Sequence, residues 1–262
     1  VGLEHIDDIL WDIDQALERA RKVVAMAEQL DHKFSMAEAY AFCASVHLFR
    51  GEHAEALRCA KRSRDICTEG GFAMWLSYAQ LLHGRLVAEL GDPEAGVAEM
   101  RHAYNQWIAT GAIVTRPLYL AMQAEGLALA GRPDEGLVLL AEAFELVCHT
   151  REHYHEAEVR RLTGELILQS ARLHGVDRQE EAQEWLQGAL EFAHHHRHTA
   201  AALRSATSLA RLWMAQGRHT EAHRILKIEY DGVTEGFYTR DVQVASALLQ
   251  PLTHASSLPT PA

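Results

Sequence analysis

Apolar residues recur at three- and four-residue intervals from the start of the chain, at Ile6, Ile9, Leu10, Ile13, Leu17, Ala20, Val24 and Ala27. That spacing puts them on one face of a helix over residues 3–30. The same period predicts helices at 36–49, 52–69, 74–90, 93–110, 115–130, 133–150, 152–173, 179–196, 200–216, 220–230 and 241–249. Runs rich in β-branched residues are few, so sandwiches and barrels are disfavoured.

The stretch LYLAMQAEGLALAGRPDEGLVLL (118–140) shows how the helices join. Ala121, Ala124, Ala128 and Ala130 precede a turn, and Gly136 and Ala141 follow it, small wherever two helices touch. Gly131 ends the first helix and Pro133 pre-sets the first turn of the second. Equivalent turns stand at Gly51, Gly91 and Gly217. The small residue five places after the turn falls at Ala56, Gly96, Gly136, Ala182 and Ala222, at spacings of 40, 40, 46 and 40. The longer interval predicts an insertion in the connector 170–178, and counting back 40 reaches Ala16 in a truncated copy. A period near forty with two helices per copy predicts a solenoid.

Small residues at the eighth place of each first helix (Ala44, Gly84, Ala124, Gly164, Ala210), glycine at the turn and a small residue at the twentieth place resemble the tetratricopeptide repeat (TPR), with lengthened helices. RPLYLAMQAEGLALAGRPDEGLVLLAEAFELV, AEVRRLTGELIL, LRSATSLARLWMAQGRHTEAHRIL and EGFYTRDVQVASALL are similar to the C-terminal repeat region of large bacterial signalling proteins. In those, a class III nucleotide cyclase or a DNA-binding head, plus a regulatory ATPase, precedes the repeats. The resemblance implies an all-α, right-handed TPR-like superhelical solenoid of antiparallel hairpins. It implies one repeat domain over 1–252: a truncated repeat at 1–30, hairpins at 33–70, 72–111, 115–150, 152–197 and 199–231, and a capping helix at 238–252. Residues 253–262 are expected to be a flexible tail.

The resemblance also implies a non-catalytic regulatory module in the cytoplasm, binding a protein or peptide, with upstream cyclase or ATPase domains as partners in cis. Two alternatives stand beside it, a sensor holding a small inducer and an oligomerisation arm that dimerises through the truncated N-terminal end. The chain begins inside a half repeat, which suggests a piece of a longer protein.

First helices of successive TPRs line the inner surface. Carrying that arrangement over puts Tyr78, Arg85, Glu125, Arg161, Glu165, Arg204 and Arg211 in a concave groove. Adjacent first helices lie about 10 Å apart, so Arg85 is expected to reach Glu125 and Glu165 to reach Arg211. These charges either form an internal ladder or clamp a peptide backbone or terminus. Trp75, Tyr78 and Tyr119 would supply flat contact area to a ligand, whereas Trp107, Trp185 and Trp213 read as core.

The formal charge of −11 argues against nucleic acid and anionic membranes as partners. The seventeen histidines would more than cancel that charge if protonated, so solubility is expected to vary between pH 7 and 5. No phosphate loop, dinucleotide fingerprint, H-E-x-x-H or G-x-S-x-G occurs, so neither an enzyme nor a cofactor is expected. Cys43, Cys59, Cys67 and Cys148 show no C-x-x-C spacing and read as reduced, buried thiols. His194 with His198, and His149 with His153 beside Cys148, share helix faces, but too few ligands are evident for a metal site.

Overall fold

The computed structural model describes residues 13–150 and 152–255. Among these there are twelve α-helices, one 3₁₀ turn and no strand. The chain divides into two compact units, Val1–His155 and Glu156–Ala262.

In the first unit α1 (Ile13–Gln29) packs on α2 (Lys33–Arg50). Three hairpins follow: α2 with α3 (His53–Gly70), α4 (Ala73–Glu89) with α5 (Pro93–Ala109), and α6 (Arg116–Leu129) with α7 (Pro133–Thr150). The second helix of each hairpin packs on the first helix of the next, and α2, α4 and α6 also touch in succession. The second unit repeats the plan. Here α8 (Glu156–His174) pairs with α9 (Gln179–His195) and α10 (Thr199–Ala215) with α11 (His219–Asp231), and α12 (Arg240–Ala255) packs on both α10 and α11.

Turn chemistry sets the hairpins. Gly51 takes φ 77° after α2 and Gly131 φ 74° after α7's partner α6, left-handed values that cost an L side chain about 1–2 kcal/mol. At the first of these the Gly51 N–H donates to Leu48 O and the Glu52 N–H to His47 O, both at 2.9 Å, satisfying carbonyls that the helix end leaves open. Asp92 caps α5, accepting from the Ala95 N–H at 3.1 Å, and Pro93 occupies the first turn.

Small residues stand where the helices cross. A Cβ on Gly84 would lie 2.9 Å from Gly96 O, and one on Gly164 2.7 Å from Leu186 Cγ and 2.9 Å from Ala182 O. Ala56 and Ala222 are fully buried and Gly136 is buried as well, so the small-residue register is the register of helix contact. Around these crossings the first unit buries Leu81, Leu82, Leu86, Met100, Tyr119 and Leu140. The second buries Leu186, Leu203, Leu209, Trp213, Leu226 and Val242. Each such side chain contributes about 1.5–3 kcal/mol by leaving water.

Several boundaries differ from expectation, among them the start of the helix expected over 152–173, which begins at Glu156 after a 3₁₀ turn at His153–His155. Residues 170–174 belong to α8, leaving only 175–178 as connector, with Gly175 at φ 66°. The final helix starts at Arg240 and runs through Ala255, past position 252. The truncated repeat up to position 12, its proposed dimer contact over those residues, and the tail from 256 lie outside the described residues.

Candidate functional site

Arg85 points from α4 towards α6 with 9% of its side chain exposed. Its Nη2 is 2.9 Å from Glu89 Oε1, one turn on, and 3.1 Å from Glu125 Oε1, while Nε donates to Glu125 Oε2 at 3.2 Å. The expected rung between neighbouring first helices is therefore present. Glu89 also meets His53 Nε2 at 3.1 Å, and Arg85 Nη1 is buried with no hydrogen-bond partner.

In the second unit Glu158 on α8 is the hub. It accepts from Arg161 Nη2 at 2.5 Å and from Arg204 Nε on α10 at 3.2 Å. Arg204 Nη1 in turn donates to Asp241 Oδ2 on α12 at 3.1 Å. One guanidinium thus ties α8, α10 and the capping helix α12 together. Burial pushes the Glu158 carboxyl up, but Arg161 and Arg204 outweigh it and hold the group well below the usual carboxylate range.

Glu165 does not take the partner expected from spacing alone. It meets Arg161 Nη1 on its own helix at 2.8 Å and accepts from the Ser208 hydroxyl at 2.6 Å. Arg211, two turns on from Arg204, is exposed. A serine one turn nearer had claimed the carboxylate, a competition that position counting does not show.

Tyr78 is not a groove residue. It is 7% exposed, packs in a chain of tilted and edge-on rings with Phe42, Trp75 and Tyr119, and shares a 3.0 Å hydrogen bond with Ser45. Tyr119 is fully buried against Tyr104 and Trp107, and its hydroxyl meets Ser77 at 3.2 Å. Both tyrosines are core because aromatic neighbours on adjacent helices cover them. Trp107 and Trp213 are buried as expected, and Trp185 is half-buried.

Among the described residues the potential metal-ligating group of three lies away from the expected histidine pairs. His194 Nε2 contacts Glu229 at 2.9 Å, His196 stacks on Phe192 at 4.2 Å, and Cys148, in the last turn of α7, is exposed rather than buried. A different trio comes together. Cys43 and His47 sit one turn apart on α2, Cys59 faces them from α3, and all three are buried with their ligand atoms within 4.8 Å of one another. Cys59 Sγ lies 3.6 Å from Cys43 Sγ. The S–H of Cys59 and the His47 ring hold the Cys43 thiol down at about 5, whereas hydrogen bonding to Cys43 and burial push Cys59 up. His47 is raised, first by Cys43 and then by Glu52, whose Oε2 is 2.5 Å from Nδ1.

A cavity of about 400 Å³ opens over this trio, bounded also by Arg21, Glu28, Tyr40, Glu55 and Arg58. The sequence signal was Cys-x-x-x-His on one helix face, with its third member sixteen residues from Cys43 across a tight turn. Only the hairpin register makes it a cluster.

No protein-family model matches the chain, and no curated protein matches it. Solved structures do. BtubC (BKLC) from P. vanneervenii is 13% identical with a TM-score of 0.56, covering 96% of this chain and 95% of that one. A set of nearly identical TPR-like repeats from Podosopora anserina is 16% identical with a TM-score of 0.51, covering 81% and 95%. A STAND-type signal transduction ATPase with a tetratricopeptide repeat sensor from Pyrococcus horikoshii is 15% identical with a TM-score of 0.57. The match covers 97% of this chain and 39% of that protein. The fold is an all-α, TPR-like solenoid. Among the described residues no helix is long and apolar enough to cross a membrane.

Proposed function

We propose that this chain is a non-catalytic interaction module that binds a protein or peptide on the face formed by α8 and α10, the first-position helices of its second unit. Support comes from α8 and α10, where the acidic side chains are already met by Arg161, Arg204 and Ser208 while Arg211 stands exposed beyond them. An internally neutralised floor with an outlying guanidinium suits a ligand carboxylate, which a planar fork grips and orients. Glu165, a third exposed, is placed to accept from a ligand backbone N–H.

The ladder and the groove are then one structure with two roles. Internal pairs hold neighbouring helices at a fixed spacing, and the exposed remainder contacts the ligand. In the Pyrococcus neighbour the repeats are described as the sensor of a signalling ATPase. By that likeness and the sequence resemblance, this module would report a bound partner to signalling domains in cis in the cytoplasm.

Fluorescence anisotropy with a panel of defined peptides, each with a free or an amidated C-terminus, tests the reading. A subset with free carboxylates is expected to bind, and Arg211→Glu to weaken it about tenfold, or ~1.4 kcal/mol. Binding that ignores both the terminus and the charge reversal contradicts it.

A further inference from the structure

We propose that Cys43, His47 and Cys59 form a binding site for a thiophilic divalent cation, zinc above all, with a fourth coordination position open to the adjoining cavity. Tetrahedral zinc holds sulfur at about 2.3 Å and imidazole nitrogen at about 2.0–2.1 Å, so neighbouring ligand atoms stand about 3.5–3.8 Å apart. The two sulfurs already stand 3.6 Å apart, and the third ligand atom is within 4.8 Å of both. The backbone therefore presents the sulfur edge of the tetrahedron, and a small ring movement completes the face.

The surroundings favour a metal over an ordinary thiol pair. Zinc-bound histidines typically pass their second ring nitrogen to a carboxylate, which fixes tautomer and orientation. Glu52 does this for His47, at 2.5 Å from Nδ1, leaving the other nitrogen to ligate. Glu52 is itself gripped by Arg50 Nε at 2.8 Å, and Arg50 is paired with Asp14. The geometry follows from the fold, since the glycine turn that bonds the Glu52 N–H to His47 O sets that carboxylate against the ring. A disulfide would need none of this outer layer.

Binding releases the proton of each thiol to solvent, and both sulfurs ligate as thiolates. Two thiolates balance the dication and neutral imidazole completes the set. Three protein ligands leave one position for water or a small ligand, the arrangement of zinc sites that do chemistry or sense a ligand. The cavity walls carry both signs of charge, Arg21 and Arg58 beside Glu28 and Glu55, with Arg58 Nη2 already 2.7 Å from Glu55 Oε2.

Cobalt(II) titration of the full, reduced, metal-free chain tests this. One equivalent is expected to give thiolate-to-cobalt charge-transfer absorption with the intense visible bands of a tetrahedral ion, and one equivalent of zinc to abolish both. Cys43→Ser or Cys59→Ser should weaken binding at least tenfold, Glu52→Gln ~10–100-fold with the sulfur bands kept, and Cys148→Ser should change nothing. Should the cysteine variants not fold, the unaltered chain decides. Zinc is expected to protect Cys43 and Cys59, but not Cys148, from iodoacetamide as read by mass spectrometry. Cobalt spectra without charge transfer, spectra surviving both serine variants, or equal alkylation with and without zinc would overturn the proposal.

Discussion

Arg85 on α4 grips Glu125 on α6, forty residues further along the chain, through two contacts: Nη2 to Oε1 at 3.1 Å and Nε to Oε2 at 3.2 Å. The same guanidinium also meets Glu89 at 2.9 Å. One repeat length thus separates the partners, so the pair reads out the register of one hairpin against the next.

Removing the guanidinium should cost more than removing the outer carboxylate. Arg85→Met leaves Glu89, 10% exposed, with less compensation, and is expected to destabilise by about 2–4 kcal/mol. Glu125 is 27% exposed, and Glu125→Gln is expected to cost only about 0–1 kcal/mol. Urea midpoints for the two variants check the asymmetry, and equal losses would show that Arg85 is no more than a surface partner.

Two glycines should fail for different reasons. Gly84→Ala drives a Cβ to 2.9 Å from the Gly96 carbonyl, where backbone has to move, and is expected to cost about 1–3 kcal/mol. Gly131→Ala meets nothing within 4 Å but sits at φ 74°, so only left-handed strain of about 1–2 kcal/mol applies. A second-site Met100→Ala, which empties the space beside Gly84, should worsen neither strain nor turn geometry at Gly131. Thermal melts of the two glycine variants with and without it separate the mechanisms.

Acid should weaken the second unit through Glu158. Its folded value lies below the ordinary 4.5, so the ionised carboxylate favours the folded state. That contribution is complete above about pH 4.5 and is lost as pH falls towards the lowered folded value. Glu158→Gln lacks it at every pH. The stability gap between the unaltered chain and Glu158→Gln should therefore be constant near neutrality and close on acidification, measured by urea unfolding. A gap that widens in acid would reverse the sign.

Helices, turns and the Arg85–Glu125 rung were legible in the sequence because each depends on spacing within one or two repeats. Turn glycines and small crossing residues mark the hairpin in any such chain. Tyr78 and Tyr119 were not legible as core, because their burial is decided by Phe42, Tyr104 and Trp107 on other helices. Arg211 lost its expected partner to Ser208, a competition settled by side-chain reach. The Cys43–His47–Cys59 trio escaped because Cys-x-x-x-His alone supplies only two ligands and Cys59 joins them only across a folded hairpin.

Ligand binding by α8 and α10 is the central proposal for this molecule. Hydrogen–deuterium exchange of the chain, with and without the tightest-binding peptide of the panel, tests this most directly. Slower exchange is predicted in 156–174 and 199–215, with 179–195 and 219–231 unchanged. Protection confined to the second-position helices, or none anywhere, would contradict it.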